Sequence, residues 1–183
     1  MRELSLHILD IATNSIEADA THVIIVVEEL QSENLLRIRI RDNGKGMTKE
    51  MQKKVLDPFV TTRKTRSVGM GLSLFKQAAL QCNGDFKLTS KPGKGTTVLA
   101  EFRLDSLNRA PLGDINATII NLVMGTPDVH FIYIHRTDFG KFCFDSYWIY
   151  GRMAERNISF YKAGELAKEF VEQKLELIKS IGK

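Results

Sequence analysis

Three groups of residues in this chain could do chemistry together. Asp10 and Asn14 lie one helical turn apart, so a helix over residues 3–18 can aim both into one cavity. The amide oxygen of Asn14 is a reasonable Mg²⁺ ligand, because Mg²⁺ in phosphate sites keeps its waters and takes few protein ligands. Asp10 could orient or deprotonate an attacking water, or a partner's hydroxyl or imidazole. For this helix taken alone, a solvated stripe of Glu3, His7, Asp10, Asn14 and Glu17 is the simpler account.

The second group is Arg41-Asp42-Asn43-Gly44-Lys45-Gly46-Met47. A carboxylate at Asp42 can accept from an exocyclic amine such as adenine N6. Glycines beside it let the backbone approach a planar ring. Asp-Asn-Gly is also a common turn. The third group is Gly69-Met70-Gly71, which opens a helix at Leu72 and so offers N–H groups and a positive dipole end to a phosphate. The polar, basic stretch Thr61–Ser67 precedes it and could close over that phosphate. A further glycine turn, Pro92-Gly93-Lys94-Gly95-Thr96-Thr97, leads into an apolar strand. In this order the turns read as a nucleotide pocket assembled from scattered backbone segments.

The elements that must position these groups follow from hydrophobic spacing. Leu4, Ile8, Ile11, Ala12 and Ile16 share the inner face of helix 3–18. Val23–Glu28 and Leu35–Arg41 read as strands joined by a turn at Gln31–Asn34. The second strand alternates, with Leu36, Ile38 and Ile40 inward and Arg37, Arg39 and Arg41 outward. Helices are expected over Lys49–Val55 and Gly71–Leu80, and a hairpin over Phe86–Ser90 and Thr97–Arg103. A boundary falls in the polar stretch Leu104–Pro111. Beyond it, Asp114 can cap a helix over Ile115–Met124. Strands are expected at Val129–His135 and Lys141–Tyr150, and a terminal helix over Glu165–Ile181. The aromatic residues of that second hairpin, Tyr147 and Trp148 included, read as core.

Read together, these segments resemble the boxes of the GHKL superfamily, which includes gyrase B, heat-shock chaperone, histidine-kinase and mismatch-repair ATPases. Asp10-Ile-Ala-Thr-Asn14-Ser-Ile-Glu-Ala resembles the N box, and Asp42-Asn-Gly-Lys-Gly-Met47 the first glycine box. Asp57-Pro-Phe-Val-Thr-Thr62 is similar to the phenylalanine box of histidine kinases, and Gly69-Met-Gly-Leu-Ser-Leu to the second glycine box. Asn83 to Thr97 follows the closing pattern of a histidine-kinase catalytic domain. The resemblance covers about the first 104 residues.

It implies ATP and Mg²⁺ as cofactors, with Asn14 as the metal ligand and Asp42 as the adenine-N6 acceptor. Gly44, Gly46 and Met47 would shape the adenine pocket. Phe59, Thr61, Thr62 and Lys64 would lie in the lid, and Gly69, Met70, Gly71 and Leu72 at its return to the phosphates. Thr97 would close the adenine side. Asp10 stands where the hydrolytic branches carry Glu, one methylene shorter, and is the candidate catalytic residue.

The implied fold is a two-layer α/β sandwich, the Bergerat ATP-binding fold. It has a mixed, mainly antiparallel sheet with helices on one face, over residues 1–104. A small α+β extension of unknown role spans 105–183. His7, His22, His130 and His135 do not sit where a sensor kinase carries its phospho-acceptor. The expectation is therefore a stand-alone ATP-binding domain of the anti-sigma-factor or switch-kinase type. It would either hydrolyse ATP slowly or pass phosphate to a partner protein, or else act as an ATP-gated regulatory module without catalysis. A dimer through the terminal helix stays open.

Composition bounds the alternatives. The chain has 183 residues, 43% hydrophobic and 26% charged, which is ordinary for a globular protein. No apolar run approaches the ~20 residues that span a bilayer, and no signal peptide is evident, so a cytoplasmic protein without membrane association is expected. Cys82 and Cys143 have no metal-site spacing. The net charge of +4 comes from residues 1–104, which hold 16 Lys and Arg against 12 Asp and Glu. A triphosphate fits that excess. Nucleic acid would need a larger basic patch with aromatic interleaving.

Overall fold

The computed structural model describes residues 3–57 and 71–180. Its centre is a six-stranded sheet in the order β3-β4-β2-β1-β5-β6. The strands are β1 (His22–Leu30), β2 (Leu35–Asp42), β3 (Phe86–Lys91), β4 (Gly95–Arg103), β5 (His130–Thr137) and β6 (Gly140–Asp145). β1 and β5 run parallel, and every other neighbouring pair is antiparallel. This is the expected mixed, mainly antiparallel sheet. It runs without a break from the motif-bearing strands into the extension, because β5 pairs along β1 from His22 to Glu29.

The helices are α1 (Leu4–Glu17), α2 (Lys49–Val55), α3 (Gly71–Gln81), α4 (Ile115–Gly125), α5 (Tyr147–Arg156) and α6 (Phe160–Ser180). The sheet residues facing them form one core: Val23, Ile25 and Val27 of β1, Ile38 and Ile40 of β2, Val98, Ala100 and Phe102 of β4, and Phe131 and Tyr133 of β5. Leu4, Ile8, Ile11 and Ala12 of α1 pack into it, as the spacing predicts. Burying such side chains contributes about 1.5–3 kcal/mol each, which is what holds α1 on the sheet.

Local chemistry sets the ends. The Thr48 hydroxyl accepts from Met51 N–H at the start of α2, and the Asp114 carboxylate from Ala117 N–H at the start of α4. α1 has no side-chain cap. Two of its first N–H groups, on Leu4 and Ser5, donate instead to the carbonyls of Pro111 and Leu112, at 3.0 and 2.8 Å.

Three expectations are corrected. The segment 141–150 is not one strand: β6 stops at Asp145, and Tyr147 and Trp148 belong to α5. Aromatic enrichment mimics a strand there. Asp145 Oδ1 accepts from Tyr147 N–H and the buried Ser146 hydroxyl accepts from Phe131 N–H, and these bonds turn the chain. The terminal helix starts at Phe160 rather than Glu165, with Ser159 Oγ accepting from Lys162 N–H. Finally, His7 is not on a solvated stripe. It is 3% exposed and stacks on Phe75 of α3, with ring centroids 5.1 Å apart. α1 also packs against its helix neighbours α3 and α4, so its polar stripe is only partly wet.

Candidate nucleotide site

Strand β2 delivers Asp42 to the rim of the sheet, where it is 8% exposed. Among the described residues, three donors converge on its carboxylate. Ser15 Oγ donates to Oδ2 at 2.8 Å, Gly44 N–H to Oδ1 at 2.9 Å and Thr96 N–H to Oδ1 at 3.1 Å. A carboxylate offers about four acceptor positions, so one remains for a donor from a ligand. A group fixed by α1, β4 and its own turn is ready to accept without further ordering.

The turn after Asp42 is tied down in turn. Lys45 N–H donates to Ala18 O at 2.8 Å, at the end of α1, and Gly93 N–H to Lys45 O at 2.8 Å. Met47 N–H donates to Ser90 Oγ at 2.8 Å, and Gln52 Nε2 bridges Met47 O and Ser90 O at 3.1 and 2.9 Å. Gly46 has φ +65°, and a Cβ there would run into the Lys91 carbonyl. Only glycine satisfies both conditions cheaply.

These segments enclose an open cavity of ≈ 590 Å³. That volume lies within the roughly 300–1,000 Å³ usual for cofactor sites. Its apolar wall is Ile11, Met47, Met51, Val55, Leu72 and Val98; its polar groups include Asn14, Ser15, Asp42, Lys45, Thr48 and Thr96. An apolar slot with one anchored carboxylate suits a planar, amine-bearing ring. Asn14, half-buried, lines the same cavity, and its side chain makes no hydrogen bond among the described residues.

Of the residues expected at a nucleotide site, Asn14, Asp42, Gly46, Met47 and Leu72 line this cavity. Gly44 is buried behind it against Ala18. Gly71 begins α3, where a Cβ would collide with the Asp10 carboxylate. Asp10 is therefore packed at the first residue of α3 and is not among the lining residues. Thr97 pairs with Arg41 and turns to the sheet face away from the cavity, while Thr96 takes the place beside Asp42. Phe59, Thr61, Thr62, Lys64, Gly69 and Met70, with the expected lid, lie outside the described residues.

Ser15, Gln52, Ser90 and Thr96 support the site without any motif signature. The one readable signal was a small polar residue, Ser15, next to Asn14 on the buried side of an amphipathic helix. His7 lies one turn before Asp10, and burial pushes its imidazole down to about 4 from an ordinary 6.5. Its Nδ1 is buried without a hydrogen-bond partner among the described residues.

Comparison with known proteins bears on the family and the fold. The family model described as histidine kinase-, DNA gyrase B- and HSP90-like ATPase matches residues 2–106. The signal transduction histidine-protein kinase AtoS of Escherichia coli is 36% identical over 91 residues, 49% of this chain and 15% of that protein. Sporulation kinase E of Bacillus subtilis is 32% identical over 90 residues, 48% of this chain and 12% of that protein. The chain thus spans only a small part of the length of these relatives. Among solved structures, the Aquifex aeolicus MutL ATPase domain complexed with ADP superposes with a TM-score of 0.51 at 16% identity, covering 75% of this chain and 61% of that one. The N-terminal domain of a DNA repair protein gives 0.54 at 19% identity, covering 78% and 52%. At such identities the likeness is one of fold.

Proposed function

Because the chain belongs to the histidine kinase-, DNA gyrase B- and HSP90-like ATPase family, we propose that it binds ATP with Mg²⁺ in the cavity between α1, α2 and β4. The adenine lies against Met47, Met51 and Val98 and gives its N6 hydrogen to the unfilled position on Asp42. The observation that carries this reading is the Asp42 carboxylate, held by three protein donors and open to the cavity for a fourth.

The donor set fits a magnesium–triphosphate. Mg²⁺ held through phosphates needs one or two protein ligands. Asn14 offers an uncommitted amide oxygen in the cavity, and the start of α3 offers helix N–H groups nearby. Bound there, the ion would neutralise phosphate charge. The protein's own part is to orient: Asp42 fixes the base, Asn14 the metal–phosphate end, and Asp10 is the carboxylate within reach of a water or of a partner's acceptor group. Slow hydrolysis, or phosphoryl transfer to a partner protein, is the activity this arrangement would serve. No helix among the described residues is long and apolar enough to cross a membrane.

A second reading rests on one observation. Asp10 packs against Gly71 rather than lining the cavity. A carboxylate spent on positioning α3 supports an ATP-gated protein-binding module that does not turn over.

Incubating the full chain with labelled ATP and Mg²⁺, with and without cell extract, separates these readings. Released phosphate or a labelled partner supports catalysis, and retained intact nucleotide supports gating. Failure to retain ATP at all removes both.

A further inference from the structure

The helices occupy one face of the sheet, and the strand registers show what the other face carries. Along one row lie Thr97, Arg41, Ile24 and Ile132; along the next lie Leu99, Arg39, Val26 and Ile134. The third row is Glu101, Arg37, Glu28 and Arg136, and it is internally neutralised. Arg37 pairs with Glu101 at 2.7 Å and with Glu28 at 3.2 Å, and Arg136 pairs with Glu28 at 3.3 Å.

The first two rows are different. Ile24, Val26, Ile132 and Ile134 form a square of four apolar side chains on adjacent parallel strands. Three of them are partly exposed, and Val26 is sheltered to 7%. One strand away, Arg39 and Arg41 are exposed and make no hydrogen bond or ion pair among the described residues. Exposed Lys87 stands two strands from Arg39, across Leu99. A sheet face that is left to solvent and needs only solubility is polar, whereas parallel strands are usually covered on both faces. Here an apolar square adjoins two arginines that lack counter-charges among the described residues.

We propose that this face docks an acidic protein, whose apolar side chains cover Ile24, Val26, Ile132 and Ile134 while its carboxylates engage Arg39 and Arg41. Arginine forks bind carboxylates bidentately, and an apolar centre beside a charged rim is the usual anatomy of a protein interface. Nucleic acid is disfavoured because stacking needs aromatic rings. The core aromatics of these strands, among them Phe102, Phe131, Tyr133 and Phe144, point to the helix side, and the rings at the end of the outer face, His22, His130 and Tyr147, are already packed on one another. A second copy of the chain is disfavoured because face-to-face contact would set the same arginines near each other. The surface lies across the sheet from the nucleotide cavity, so the inference stands or falls separately from the nucleotide reading.

The test places a photo-crosslinking residue at Ile134 in the full chain, in cells, and identifies what is captured. The captured protein is then purified, and its affinity is measured for wild type, for Arg39→Glu with Arg41→Glu, and for the milder Arg39→Gln with Arg41→Gln. Circular dichroism and thermal unfolding monitor folding. The expected result is a protein joined through a segment rich in Asp and Glu. Its affinity should fall about tenfold or more on charge reversal and less on neutralisation. Reversing the crosslinked carboxylates to Lys should restore binding to the Glu variant. Capture of nucleic acid, lipid or another copy, no capture at all, or an affinity indifferent to both arginine pairs would overturn the proposal.

Discussion

Ser15 Oγ lies 2.8 Å from Asp42 Oδ2, so the last turn of α1 holds the carboxylate at the end of β2. The proposed base acceptor and the proposed metal ligand, Asn14, are therefore tied to one helix. Asp42→Ala should weaken ATP binding by about 1–3 kcal/mol, because it leaves the adenine amine without a partner. Ser15→Ala should cost about 1 kcal/mol, since two donors still hold Asp42. Wild type should prefer ATP to GTP, which presents a carbonyl in place of the amine. Calorimetric titration of the two nucleotides checks all three, and equal affinities would remove Asp42 from base recognition.

Asn14→Ala should weaken Mg²⁺-dependent triphosphate binding more than adenosine binding. The residue meets only the metal–phosphate end of the ligand in the proposed pose. Titrating ATP with and without Mg²⁺, and adenosine alone, makes the comparison. Parallel losses for all ligands would mean that the change damages α1 itself.

Asp10→Asn should keep ATP binding and lower any turnover by about 10²–10⁴-fold, the usual worth of general-base help. Phosphate release under saturating ATP measures it. Undiminished release would leave Asp10 with the positioning role against Gly71 alone. Gly71→Ala probes that role directly, since its Cβ would displace the Asp10 carboxylate. It should disturb ATP retention even if Asp10→Asn does not.

His7 should make stability depend on acid. Its folded value of about 4 lies below the ordinary 6.5, so the unfolded chain takes up the proton first as pH falls. The contribution is complete above 6.5 and is lost progressively on the way down to about 4. The span is about 3 kcal/mol at most, from 1.36 kcal/mol per unit. In urea unfolding across this range, wild type should lose stability relative to His7→Leu as the pH falls. Parallel curves would show that the imidazole is reached by water.

Part of the candidate site was legible because glycine turns and helical spacing are local signals. Helix Lys49–Val55 has the bounds its sequence predicts, and Asn14, Asp42 and Gly46 meet in one cavity. What was not legible depended on the third dimension. Ser15, Ser90 and Gln52 act through bonds to partners in other elements, and no spacing within the sequence marks them. His7 looked exposed because one helix read alone does not reveal that α3 and α4 pack against it. Thr96 and Thr97 were indistinguishable until the pairing with β2 decided which of them faces the cavity. The segment 141–150 failed for a different reason: aromatic residues favour strands and buried helices alike, and the break is made by the Asp145 and Ser146 side chains.

The two carbonyls that close the start of α1 belong to Pro111 and Leu112, beyond residue 106 where the family match ends. The recognisable pattern and the self-supporting unit therefore have different borders. A fragment trimmed to the pattern would keep each signature residue yet lose the clamp on the helix that presents Asn14 and Ser15. A truncation that fails to bind nucleotide would then report a loosened helix rather than a missing contact. The tail, whatever else it does, is part of the instrument that holds the site still.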